Sequence, residues 1–153
     1  MQTVATTVPA RSSIARLYEG FTTLLEKTQP LFALAIRIYV AKVFILSGWL
    51  KLSRWDSTLA LFQNEYHVPL LPPSVAAVVG TASELTLPTL LLIGLGSRAA
   101  ALALFVFNIV AVVSYPDLSD AGLQQHILWG ALMLVIAFYG PGKWSIDRWI
   151  GLR

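Results

Sequence analysis

The stretch from Pro30 to Leu52, PLFALAIRIYVAKVFILSGWLKL, decides the fold. It is apolar over more than the roughly 20 residues that a helix needs to cross a bilayer. Arg37 and Lys42 nevertheless lie inside the apolar run, and Lys51 lies at its end. A charge at mid-bilayer costs about 3 kcal/mol or more on insertion scales. The sequence therefore predicts further helices that pack on this one and offer its charges a partner, a water-filled cavity or a route to the interface.

The composition is that of a membrane protein. Hydrophobic residues make up 56% of the 153 residues and charged residues only 12%, whereas a soluble domain carries about 25% charged residues. This length predicts one domain without a separate soluble module. The chain has no cysteine, which excludes disulfides, thiol redox chemistry and cysteine-ligated clusters within it. The net charge of +3 comes from basic residues beside apolar segments, so membrane topology explains them better than nucleic-acid binding does.

Four apolar segments predict an all-α integral membrane four-helix bundle. The spans cover about residues 30–50, 74–95, 98–115 and 123–139. Between the first two spans, apolar residues recur at helical spacing from Trp55 to Tyr66. This pattern predicts a short interfacial helix.

Residues 12–27 predict an amphipathic helix in the membrane interface, with a helix docked on the end of the bundle as the alternative. Its apolar face consists of Ile14, Leu17, Tyr18, Phe21, Leu24 and Leu25. The polar residues before it are expected to be disordered. We therefore divide the chain into residues 1–29, a tail with the amphipathic helix, and residues 30–153, the transmembrane domain.

The basic residues predict the orientation. Seven fall on the side of the termini, namely Arg11, Arg16, Lys27, Arg98, Lys143, Arg148 and Arg153, and two fall opposite, namely Lys51 and Arg54. By the positive-inside rule, both termini then lie in the cytoplasm. The closing segment GPGKWSIDRWIGLR (140–153) mixes aromatic and basic residues and suits a tail on the membrane surface.

Polar side chains recur near the middle of the spans. At 1.5 Å per residue, Lys42 lies about 18 Å into its span, and Glu84 and Asn108 each lie about 15 Å into theirs. All three fall near the midplane of a hydrocarbon core roughly 30 Å thick, and Arg37 can join them from nearer the cytoplasm. The sequence thus predicts an intramembrane polar cluster of Arg37, Lys42, Glu84 and Asn108. It is either a pocket for a quinone headgroup, a proton or a small polar metabolite, or a buried ion pair that fixes helix register.

The two histidines, His67 and His126, both fall on the side opposite the termini. Imidazole binds copper or zinc, but these residues come from different loops without HxH or HxxH spacing, so no metal site is predicted. Tyr66 and His67 lie in EYHVPLLPP (65–73), which its prolines stiffen. With His126 they form a predicted docking face for a partner protein or peptide. An ordinary aromatic belt is the alternative.

Several motifs occur in a characteristic order. They are Arg37, SGWLKL (47–52) with Gly48 and Lys51, Glu84 followed by LLLIGLGSRAA (90–100), and GPGKWSID (140–147) with Gly140, Gly142 and Asp147. In this order they resemble the DoxX family of small bacterial four-helix membrane proteins, over about residues 31–150. Within it, EYHVPLLPP and QHILWG (125–130) resemble the members encoded beside genes for copper-linked modified peptides of the bufferin type. The resemblance includes Arg37 and Glu84 but not Lys42, which favours an Arg37–Glu84 pair. Depth favours Lys42–Glu84, and both pairings stay open.

The resemblance implies a limited range of functions, because most members of that family have no established reaction. The first hypothesis is an accessory inner-membrane subunit that anchors or assists a redox or peptide-maturation partner from the same operon. The alternative is a quinone-interacting oxidoreductase subunit with an intramembrane polar pocket. A transporter is disfavoured, because four helices without an evident repeat rarely give alternating access. No catalytic triad, phosphate loop or dinucleotide fingerprint is present, so a self-contained enzyme of the soluble type is not expected. Whether the chain takes part in catalysis as a subunit, and whether it forms homo-oligomers, both stay open.

Overall fold

The computed structural model describes residues 13–152 and contains helices but no strand over this range. The helices are α1 (Ser13–Ser53), α2 (Trp55–Asn64), α3 (Pro73–Ile93), α4 (Ser97–Ser114), α5 (Asp120–Tyr139) and α6 (Ile146–Trp149). Within the described residues, α1, α3, α4 and α5 are each long and apolar enough to cross a membrane. The predicted all-α membrane four-helix bundle, with a short helix between the first two spans, is confirmed.

Helix α1 differs from the prediction, because the segments 12–27 and 30–50 form one continuous helix. Pro30 lies inside this helix and is buried. A proline at this position removes one helical hydrogen bond. The preceding residues Lys27 and Gln29 favour helix, which allows α1 to continue through Pro30. The division at residue 29 is therefore not a helix boundary and stays a prediction about domains. The predicted disordered tail lies outside the described residues.

The first half of α1 extends away from the bundle. Its apolar face is exposed along its length, with Ile14 and Leu17 at 78% and 75% exposure. The alternative of a helix docked on the bundle end is therefore wrong. Placement of this face in the membrane interface stays a prediction.

The four long helices pack in sequence around a shared core. Helix α1 packs on α3, α3 on α4, α4 on α5, and α5 returns to α1. The central core includes Val40, Leu91, Leu104 and Met133, all fully buried. Helix α2 packs against α3 through a smaller cluster of Phe62, Ala76 and Ala77. Two apolar clusters therefore hold the bundle, one between the spans and one beneath α2.

Glycines allow the close approaches that this packing needs. A Cβ at Gly48 of α1 would lie 2.9 Å from the Cβ of Glu84 on α3, so only glycine lets these two helices meet here. Gly94 and Gly96 have φ of 77° and 57° and make a tight reversal between α3 and α4. The close contact at Gly48 and the reversal position the two charged sites described below.

Candidate functional site

Glu84 forms an ion pair with Lys51. The Lys51 Nζ atom lies 2.6 Å from each carboxylate oxygen of Glu84. The Ser47 hydroxyl donates to Glu84 Oε1 at 3.1 Å and accepts from Lys51 Nζ at 3.0 Å. The side chains of Lys51 and Glu84 are only 18% and 7% exposed. Both predicted pairings, Arg37–Glu84 and Lys42–Glu84, are therefore wrong.

The depth of a residue along its helix places only its backbone, and the end of a long side chain can lie several ångströms away. Lysine has a long, flexible stem, and Lys51 reaches from the last turn of α1 to a carboxylate in the middle of α3. The close approach at Gly48, one turn before Lys51, shortens this distance. Lys42 is exposed on the surface of α1 and joins no cluster.

Arg37 lies at the other end of the bundle and binds backbone carbonyls only. Its Nε atom donates to Leu91 O at 2.8 Å, and its Nη2 atom donates to Leu92 O. Its Nη1 atom donates to Pro141 O at 3.1 Å and to Trp144 O at 2.6 Å. We call this arrangement the Arg37 clasp. It joins the last turn of α3 to the segment after α5, where unsatisfied helix carbonyls favour a cation.

Asp147 completes this end of the bundle. Its carboxylate accepts from the backbone N–H of Gly96 at 2.7 Å and of Ser97 at 2.8 Å, the start of α4. Burial alone would raise the pKa of Asp147, but these N–H donors and the nearby Arg37 outweigh it, and the pKa lies below its ordinary value. Asp147 is therefore a helix cap held as a carboxylate.

The remaining motif glycines fit the same end. Gly140 and Gly142 have φ of 87° and 84°. A Cβ at Gly142 would lie 2.9 Å from the Cβ of Ala33 on α1. The motif GPGKWSID thus combines a turn that only glycine adopts without strain with the carbonyls that Arg37 binds. Gly140, Gly142 and Asp147 therefore have a structural role.

Asn108 pairs with His126 across α4 and α5. The Asn108 Nδ2 atom donates to the backbone carbonyl of His126 at 3.0 Å, and its Oδ1 atom lies 2.7 Å from His126 Nδ1. Because that amide oxygen can only accept, Nδ1 carries the proton and Nε2 is an acceptor in the neutral ring. The predicted cluster is therefore three separate sites, namely Arg37 with carbonyls, Glu84 with Lys51, and Asn108 with His126.

A cavity of about 500 Å³ separates the last two sites. We call it the Glu84 cavity. Its walls are mainly apolar and aromatic, and its polar lining residues are Ser47, Lys51, Tyr66, Glu84, Ser114, Tyr115, His126 and Trp129. Phe44 packs edge-to-face on both Phe107 and Trp129 along one wall. Volume and lining both match those of small-molecule sites.

Two polar atoms among the cavity-lining residues have no partner within the described part of the chain. They are Trp129 Nε1 and Ser114 Oγ, both buried. An unpaired buried polar group costs about 1–3 kcal/mol, so native proteins leave few of them. Sequence reasoning missed both residues. Trp129 could have been found from its place one turn after His126, on the same face of α5.

The predicted docking residues occupy different environments. Tyr66 is half-buried and stacks on Phe62 and Tyr115, with ring centroids 4.8 and 5.1 Å away. Burial first, and then the charge of Glu84, raise the pKa of Tyr66, so its phenol keeps its proton at neutral pH. His67 is exposed, and its backbone N–H donates to Ser114 O at 2.8 Å. Of the three predicted docking residues, only His67 is exposed on the surface.

The two histidines lie in different surroundings. Over residues 13–152, no group of three or more histidine, aspartate or glutamate side chains is placed to hold a metal ion. The rings of His67 and His126 differ in burial, and His126 is already bonded to Asn108.

Four apolar spans with charges buried between them define a multi-pass α-helical membrane protein. The sequence profile of the DoxX family matches residues 32–116, more than half of the chain, and the chain belongs to this family. The chain is 29% identical over 126 residues to an uncharacterized protein of Haemophilus influenzae. The matched region covers 76% of this chain and 82% of that protein. The chain is also 28% identical over 131 residues to inner membrane protein YphA of Escherichia coli. That matched region covers 78% of this chain and 91% of YphA.

No solved structure matches the chain significantly. The family match covers Arg37, Lys51, Glu84 and Asn108, so the ion pair and the start of the clasp both lie in the shared region. With its four spans and these relatives, the protein is a multi-pass inner membrane protein.

Proposed function

We propose that the protein is a binding subunit that takes a small lipophilic molecule with a polar head, of the quinone class, into the Glu84 cavity. The observation that carries the proposal is the pair of unpartnered buried atoms, Trp129 Nε1 and Ser114 Oγ, among the residues that line a mainly apolar cavity. A ligand carbonyl that accepts from them would remove the cost of leaving them unpaired.

The chemistry of the lining fits a quinone head. Such a head brings two carbonyl oxygens and a flat ring, and it supplies the redox chemistry when bound. The chain supplies aromatic walls, the Trp129 N–H as a donor, and the Glu84 carboxylate and the neutral His126 ring as proton acceptors. The chain has no cysteine, and in this proposal a redox partner exchanges electrons with the quinone. This supports the accessory role, in which the protein serves a redox or peptide-maturation partner.

Titration with a short-chain quinone in detergent tests the proposal. Trp129→Phe keeps the ring but removes the N–H donor, and we expect it to weaken binding by about fivefold to tenfold. Trp49→Phe is the matched control, because Trp49 is exposed and does not line the cavity. Equal affinity of the parent and Trp129→Phe, or no measurable binding, would overturn the proposal. Mass spectrometry of molecules carried through purification would identify a different native ligand.

A docking role for the loop between α2 and α3 is the second candidate. Leu70 is fully exposed and has a φ of 65°, a conformation that is a genuine outlier for a bulky residue. Next to the exposed His67, it presents an apolar side chain outward, which suits a contact with a partner protein. Leu70→Asn keeps the left-handed conformation accessible and removes the apolar contact. We expect it to reduce recovery of a neighbouring gene product at unchanged stability, and unchanged recovery would exclude this role. Membership of the copper-linked peptide subgroup stays a prediction.

The orientation belongs with this proposal, with both termini in the cytoplasm. Seven basic residues against two support it. Because the chain has no cysteine, single cysteines introduced at Asp117 and Lys143, both exposed, would report on one side each. In spheroplasts, which have lost the outer membrane, we expect an impermeant thiol reagent to label the cysteine at position 117 and not the one at position 143. The reverse labelling would invert the topology.

A further inference from the structure

A second cavity, of about 540 Å³, lies at the clasp end of the bundle. We call it the basic cavity, because its lining includes Arg98, Lys143 and Arg148. Asp147 is the single carboxylate in that lining, and the N–H groups of Gly96 and Ser97 bind both of its oxygens. The cavity therefore has a net positive charge and no free carboxylate to neutralise it.

The three basic side chains differ in how firmly they are held. Arg98 Nη1 donates to the carbonyls of Ala137 and Phe138 at 3.0 and 2.9 Å, which fixes the guanidinium at the end of α5. Lys143 and Arg148 are exposed, and within residues 13–152 their side chains form no hydrogen bond or ion pair. One anchored guanidinium and two unpaired cations around a concave surface match the geometry that binds a phosphate.

The residues around the basic cavity indicate that it faces a membrane surface and not bulk water. Tyr139 and Trp149 are 86% and 83% exposed, and Trp144, Ile150 and Leu152 beside them are each more than half exposed. Exposed aromatic residues at the end of a membrane span are typical of the headgroup level of a bilayer. Basic pockets at this level are where anionic phospholipid headgroups bind.

We propose that the basic cavity binds the phosphate group of an anionic phospholipid, while the acyl chains lie along α5 next to Tyr139. Arg98 sets the position of the phosphate. Lys143 and Arg148 close around it from the turn after α5 and from α6. This site is independent of the Glu84 cavity, because the two share no lining residue.

The test compares lipids on the purified, delipidated protein in neutral detergent. Phosphatidylglycerol is expected to raise the unfolding temperature more than phosphatidylcholine does, whereas inorganic phosphate alone leaves it unchanged. The double variant Lys143→Gln with Arg148→Gln is expected to bind phosphatidylglycerol about 30-fold more weakly. The matched control, Arg16→Gln with Lys27→Gln, removes the same charge from the exposed part of α1 and is expected to keep the parent affinity.

Three results would overturn the proposal. They are equal stabilisation by the two lipids, an equal loss in the control variant, and protection by inorganic phosphate as strong as that by phosphatidylglycerol. The last result would indicate a site for free phosphate. If the double variant does not accumulate, each single variant tests whether Lys143 or Arg148 binds the lipid. The parent provides a second test, because lipid binding through phosphate contacts weakens as the salt concentration rises.

Discussion

The two ends of the bundle bury charge in different ways. In the Arg37 clasp, one guanidinium binds four backbone carbonyls, and Arg37 itself lines neither the Glu84 cavity nor the basic cavity. In the Glu84 cavity, the ion pair of Lys51 and Glu84 borders about 500 Å³ of space with two unpartnered polar atoms in its lining. A fully satisfied charge stabilises a fold, whereas a charge beside a cavity with free donors can also bind a ligand. The comparison assigns a stabilising role to Arg37 and a ligand-binding role to the Glu84 cavity.

The largest expected effect is the loss of the clasp. Arg37→Ala leaves four carbonyls without their donor, and we expect a loss of more than about 4 kcal/mol in the free energy of unfolding. Arg37→Lys should recover only part of it, since an ammonium lacks the planar fork. Membrane accumulation and thermal unfolding in detergent measure both. Lys42→Ala, on the exposed face of the same helix, is the control and should change little. A stable Arg37→Ala variant would remove the contrast between the two ends.

Glu84→Ala is expected to have the second largest effect on the free energy of unfolding, because water can partly solvate the unpaired Lys51 ammonium. Lys51 keeps 18% of its side chain exposed, so we expect a loss of about 3 kcal/mol, at the lower end for breaking a buried pair. Glu84→Gln should be milder, because an amide still accepts from Lys51 and Ser47. Thermal unfolding measures the stability, and quinone titration measures the affinity. A Glu84→Ala variant with parental stability and parental binding would contradict both roles of this residue.

Asp147 gives the clasp end a pH dependence. Its pKa in the folded protein is below the ordinary 3.8, so its carboxylate stabilises the fold above the unfolded pKa. That contribution is lost as the pH falls through the folded pKa. We expect Asp147→Asn to cost about 1–2 kcal/mol at neutral pH, as for the loss of a helix cap, and to flatten the unfolding profile below pH of about 4. An unchanged acid profile would show that Asp147 does not carry this linkage.

The smallest effect separates the two histidines. His67 is exposed, so His67→Ala should change the free energy of unfolding by less than about 0.5 kcal/mol. His126→Ala removes the partner of the buried Asn108 and should cost about 1–2 kcal/mol. Equal unfolding temperatures for the two variants would contradict the Asn108–His126 pair.

The Glu84 cavity was only partly predictable. The carboxylate of Glu84 stands out in an apolar segment, and a polar partner for it follows from the cost of burying a charge. The identity of that partner does not follow, because Lys42, Lys51 and Arg37 all lie on α1 within reach of a flexible stem. The backbone approach at Gly48 and the extension of Lys51 decide between them.

The amino-acid sequence alone determined the class, the four spans and the helix between the first two. These features depend on hydrophobic length and backbone preferences, which are local properties of the chain. Only the tertiary structure decided that α1 is continuous through Pro30, that Arg37 binds carbonyls, and that the Asn108–His126 pair stands apart from Glu84. Those outcomes depend on which surfaces of different helices meet, because a buried polar group takes the partner that packing brings to it.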